Sequence, residues 1–103
     1  MKRGSCILFI ISEYLNPENI PQDQSESLFQ QHAEWFTKHF NLGHFVLVGP
    51  YIDIPKAGIM LSNLTSREEL DAILAEDVFA KGDMARYEVH EFKAAMVSTI
   101  KPE

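Results

Sequence analysis

Cys6-Ile7-Leu8-Phe9-Ile10-Ile11 is apolar at every position, is preceded by Gly4 and gives way to Ser12-Glu13. The run is too short for a helix and rich in isoleucine, so it reads as a strand sheltered on both faces. Downstream, His44-Phe45-Val46-Leu47-Val48 is a second such run, stopped by Gly49-Pro50, and Gly58-Ile59-Met60-Leu61-Ser62 is a third. Arg86 to Lys93 alternates, with Tyr87 and Val89 on one face and Glu88, His90 and Phe92 on the other, the pattern of a fourth strand.

Between these runs lie helix signals. Ser25 is placed to cap a helix that continues to about Leu42 and is ended by Gly43, a natural left-handed terminator. Thr65-Ser66-Arg67-Glu68 has capping-box spacing, and Leu70, Ile73 and Leu74 form the stripe of a second, shorter helix, followed by a brief turn from Glu76-Asp77-Val78-Phe79. Asn16 to Gln24, polar with two prolines, is a loop of the length that often overlies a binding site. The order strand, helix, strand, strand, helix, strand predicts an α+β, ferredoxin-like split βαβ fold with a four-stranded antiparallel sheet. One domain covers 1–103, with its core at about 5–93 and a tail, 94–103, that either adds an edge strand or stays loose.

Two helices cover one face of such a sheet, yet the first strand is apolar on both. The other face therefore calls for a second copy of the chain, a homodimer with sheet facing sheet. The 103 residues are 46% apolar and 23% charged, within the globular range. Asp and Glu number 15 against 9 Lys and Arg, a net charge of −6, which disfavours nucleic acid and anionic membrane as partners. A single cysteine cannot form an intrachain disulfide, so the expected compartment is the cytoplasm. The apolar run after Met1-Lys2-Arg3 is too short for a signal peptide and lacks a small-residue cleavage site, and no stretch has the length of a membrane span.

The long helix carries two polar groups on its apolar side. At 100° per residue, Leu28, Phe29, Ala33, Trp35, Phe36, Phe40 and Leu42 share one half of the circumference, and His32 and His39 fall inside it. An imidazole on a dry face needs partners. It is either a core histidine bonded to a backbone carbonyl or a general acid or base in a cleft, its tautomer held by a carboxylate. Asp77 is the attractive carboxylate, with an N-cap for the turn from Val78 as its purely structural role.

His32, Gly49-Pro50 seventeen positions later, Glu76-Asp77-Val78-Phe79 and the strand Tyr87-Glu88-Val89-His90-Glu91-Phe92 together resemble the YciI-like family. The resemblance covers most of the chain, from the first strand to Phe92. It implies a dimeric α+β barrel, related in architecture to muconolactone isomerase, and a histidine and aspartate pair matched here by His32 and Asp77. Two departures stand out: Val78 occupies the place of the family's usual proline, and Gly82 comes one position early. Dehydrochlorination of a chlorinated hydroxyquinone is associated with one branch of the family.

Other constellations carry less. His32 and His39 are seven residues apart, roughly 10 Å along a helix, too far to share a zinc ion. Glu88 and His90 share a strand face that reads as solvated, and Cys6, in an apolar strand, reads as an inert thiol. No phosphate loop or dinucleotide fingerprint is present, so neither cofactor nor metal is expected. The resulting expectation is a small-molecule enzyme using His32 and Asp77 on a small cyclic substrate by isomerisation, elimination or hydrolysis. Phe36, Gly49, Pro50 and Phe79 would line its pocket. A dimer of the same fold that binds a ligand without turnover is the alternative, and haem binding or cofactor-free oxygenation, known on related barrels, is a third class.

Overall fold

In the computed structural model, which describes residues 6–99, four strands form one antiparallel sheet with two helices. The elements are β1 (Cys6–Leu15), α1 (Ser25–Asn41), β2 (Phe45–Pro50), β3 (Ala57–Ser62), α2 (Arg67–Ala75) and β4 (Ala85–Ala94). The strand order is β2-β3-β1-β4, the ferredoxin-like arrangement. Phe9, Ile11, Phe45 and Met60 from the sheet pack with Trp35, Leu70, Ile73 and Leu74 from the helices to make the core. The Trp35 indole N–H donates to the Ile73 carbonyl at 2.9 Å, which ties α1 to α2 and leaves no buried donor on the ring unpaired.

The first strand extends four residues past its apolar run, to Leu15. Polar Ser12 and Glu13 do not end it, because β1 is central and its backbone pairs with β3 on one side and β4 on the other. Gly49 and Pro50 likewise belong to β2 rather than stopping it, an edge position where a missing N–H is tolerated. Ser25 does not cap α1. It is the helix's first residue, and its own N–H bonds to the Gln22 carbonyl, because a short 3-10 turn over Gln22–Gln24 feeds directly into the helix. The α2 cap is Ser66 rather than Thr65, its hydroxyl accepting from the Glu69 N–H at 3.2 Å. Gly43 does end α1, with φ at 85°.

The apolar stripe of α1 is narrower than the helical wheel suggests. Leu28, Trp35 and His39 are buried, whereas Ala33, Phe40 and Leu42 at its edges are exposed. β4 stops at Ala94, and no further strand follows among the described residues. The Cys6 side chain, the Met1-Lys2-Arg3 start and the tail beyond residue 99 lie outside the described residues. No helix among the described residues is long and apolar enough to cross a membrane.

Candidate active site

Alternation along β1 sends Phe9, Ile11 and Glu13 to the helix side of the sheet. Glu13 is 4% exposed, and neither of its carboxyl oxygens has a hydrogen-bond partner. In register with it, β4 contributes Tyr87 on one side and β3 contributes Gly58 on the other. Glycine there is a matter of close approach: a Cβ on Gly58 would come within 2.9 Å of the Gly49 carbonyl oxygen. Beside Glu13, a cavity of about 590 Å3 lies between α1 and the β2-β3 end of the sheet, with Gly58 in its lining.

His32 enters this space from α1. Its ring is bracketed by Trp35, stacked at 5.9 Å between centroids, by Phe36, edge-on at 4.5 Å, and by Phe79, tilted at 4.8 Å. The Nδ1–H donates to Asp77 Oδ1 at 2.7 Å. A carboxylate can only accept, so this bond places a hydrogen on Nδ1, and in the neutral imidazole the lone pair is then on Nε2, 3.9 Å from Glu13 Oε1.

Asp77 follows α2 at the start of the 3-10 turn Val78–Ala80 and is completely buried. Its Oδ1 also accepts from the Phe79 N–H at 3.2 Å, and its Oδ2 accepts from the Tyr87 hydroxyl at 2.6 Å. The cap and the histidine partner are thus the same carboxylate performing both roles. Burial works against its charge, but its neighbours, His32 foremost, then the Glu13 carboxyl and Tyr87, hold its carboxyl below the ordinary aspartate range. Glu13 behaves in the opposite way. Burial first, then the neighbouring Asp77 carboxylate, through hydrogen bonding to the protonated form and through its charge, push the Glu13 carboxyl up to about 9, which favours the neutral acid at physiological pH. Burial and the adjoining carboxylates also raise the Tyr87 phenol, which stays a donor.

Of the pocket residues expected from sequence, Phe36, Gly49 and Pro50 line the cavity with His32, whereas Phe79 is fully buried behind the His32 ring and lines none of it. Sequence reasoning passed over Glu13, Tyr87 and Gly58. Glu13 was signalled, since it keeps the period-two phase of Phe9 and Ile11. His39 belongs elsewhere. It is 2% exposed, and its partners are side chains rather than a backbone carbonyl: Glu76 Oε1 at 2.8 Å from Nε2 and His44 Nδ1 at 2.9 Å from Nδ1. Glu88 pairs with Arg86 at 2.9 Å, and both Glu88 and His90 are exposed.

Glu13, His32 and Asp77 each place one possible ligand atom within 4.8 Å of the others. The Asp77 oxygens are already engaged by three donors. That leaves one nitrogen and one carboxyl group facing the cavity, fewer than the three protein ligands of a catalytic zinc site.

The chain belongs to the YCII-related domain family, whose pattern matches residues 7–93. No curated protein matches it. Solved structures of similar fold include a Bacteroides thetaiotaomicron conserved protein of unknown function, described as a possible oxidoreductase, at TM-score 0.54 and 12% identity over 89% of this chain and 100% of that one. Another is SnoaB, a cofactor-independent oxygenase from Streptomyces nogalater, at TM-score 0.51 and 16% identity over 91% and 97%. An antibiotic biosynthesis monooxygenase matches at TM-score 0.50 and 13% identity over 89% and 99%. At these identities the likeness is one of fold.

Proposed function

We propose that this member of the YCII-related family is an acid-base enzyme acting on a small cyclic substrate without a bound cofactor. His32 Nε2 takes and returns the proton, and Asp77 positions the imidazole and stabilises its charged form. The observation that carries this reading is the 2.7 Å bond from His32 Nδ1 to a buried aspartate, in the wall of a cavity large enough for a small ring. Phe29, Phe36, Val48 and Met60 give that cavity apolar walls beside the imidazole. Isomerisation, elimination and hydrolysis of an activated ring all use this proton transfer.

The test is a screen of cyclic ketones and lactones in D2O, following deuterium uptake and product by NMR. The native chain should turn over at least one compound, and His32→Asn should reduce that rate roughly 10²–10⁴-fold. An equal rate in the variant would remove His32 from the chemistry. Turnover of no compound, with ligands still bound, would make the protein a binding dimer of the same fold.

The assembly we propose is a homodimer closed through the sheet face away from the helices. Leu8, Ile10, Ile59 and Leu61 occupy the middle of that face, and Leu47 and Phe92 on its flanks are exposed. The helices cover only the opposite side, and a second sheet would shelter this one. A lone cysteine is in keeping with a cytoplasmic location.

A further inference from the structure

We propose that Glu13 is a second catalytic residue, a neutral carboxylic acid that donates its proton to a carbonyl oxygen of the substrate while His32 Nε2 removes a proton from the adjacent carbon. This rests on the acid-base reading of His32 and narrows the substrate class to small enolisable cyclic ketones or lactones.

The geometry that points to it is an isolated buried acid. Glu13 is 4% exposed, its two oxygens have no hydrogen-bond partner, and it lines the cavity. A buried polar group left unpaired is costly, and it persists where something else completes it. Its nearer oxygen is 3.9 Å from His32 Nε2, too long for a hydrogen bond between the two. A donor and an acceptor held side by side at that spacing can address two neighbouring atoms of one molecule. Gly58, opposite Glu13 in register, lines the same cavity. The neutral form that the role requires accords with the upward displacement of its carboxyl to about 9.

The step balances without an oxidant or cofactor. The C–H bond next to the carbonyl breaks and its proton goes to His32 Nε2. The bonding pair forms the C=C bond, the carbonyl π pair moves to oxygen, and that oxygen takes the Glu13 proton. Reversal at the same carbon gives exchange, and reversal at a conjugated carbon gives isomerisation, with Glu13 recovering its proton in both. Closing the gap between the acidity of the donor and that of the enol is what makes such a neutral acid effective.

The probe is 2-cyclohexenone, added to the native chain. Infrared difference spectra of native chain against Glu13→Gln should show a protonated carboxyl band at neutral pH that converts to carboxylate near pH 9. The carbonyl stretch of bound cyclohexenone should move to lower frequency in the native chain and in His32→Asn, and should lose that shift in Glu13→Leu. Absence of the protonated band, or an identical cyclohexenone carbonyl band in native chain and Glu13→Leu, overturns the proposal while leaving His32 untouched. Retention of deuterium exchange by His32→Asn overturns instead the reading on which it rests.

Discussion

Nδ1 of His32 and Oδ1 of Asp77 meet at 2.7 Å although 45 positions separate them in the chain. The aspartate is wholly buried and the imidazole only partly so, which means that the carboxylate has no outlet but the bonds it accepts. Tyr87 and the Phe79 N–H complete those bonds, so the pair is held by α1, the turn after α2 and β4 together.

Asp77→Asn should lower turnover by a factor approaching that of losing His32, because an amide no longer specifies the Nδ1–H tautomer or supports the imidazolium. It should also cost about 1–3 kcal/mol of stability, since donors built around a charge lose it. Urea unfolding gives the second quantity and the pH profile of turnover the first. An unchanged profile would separate Asp77 from the chemistry.

Glu13 gives stability a pH dependence whose sign is set by its raised carboxyl. Between 4.5, its ordinary value, and about 9, the folded chain binds a proton that the unfolded chain has released, so its contribution is lost progressively as pH rises. Glu13→Gln does not titrate. The variant should therefore gain on the native chain with increasing pH, by on the order of a few kcal/mol near pH 9, in urea midpoints measured across the range. Asp77, whose carboxyl is lowered, acts at the other end and destabilises the fold as pH falls through its folded value.

Gly58→Ala should destabilise by about 1–3 kcal/mol, because the new methyl meets backbone rather than a side chain that can move. The change sits in the cavity lining, so binding of cyclohexenone should weaken as well. Thermal unfolding and a ligand titration check the two halves, and a fully native melting temperature would contradict the close approach.

Leu61→Asp puts a charge in the middle of the sheet face that the helices leave uncovered. In the proposed dimer that charge would be buried without a partner, and sedimentation should report a species of half the native mass. A native mass for the variant would place the interface elsewhere.

Phe79→Ala removes a fully buried ring that packs against His32 and edge-on against Phe29 at 4.9 Å. The expected loss is about 3–5 kcal/mol by urea unfolding.

Much of the fold was legible because its signals are local. The all-apolar run at Cys6 to Ile11, the helical stripe around Trp35, Gly43 and the stripe of Leu70, Ile73 and Leu74 each report on their own segment, and their order selects the sheet topology. Boundaries were less legible where pairing rather than side-chain character governs, as at Glu13 in β1 and Pro50 in β2. The wheel identified His32 and His39 as polar groups on an apolar face, and it could not separate them, since partners so remote in sequence have no local signature. His39 reaches Glu76 and His44, and His32 reaches Asp77.

Element order, the buried face of each helix and the presence of an imidazole among apolar neighbours follow from residue spacing alone, because hydrophobic periodicity is a property of a single segment. The ionisation state of the site does not. Glu13 and Asp77 are both buried carboxyl groups, and their acidities move apart because burial prevails at Glu13, whereas at Asp77 the His32 ring, the Tyr87 hydroxyl and the Phe79 N–H converge on the carboxylate and outweigh it. That convergence is a matter of which side chains the packed elements bring within about 3 Å of a given oxygen, the distance at which a donor outweighs the cost of leaving water.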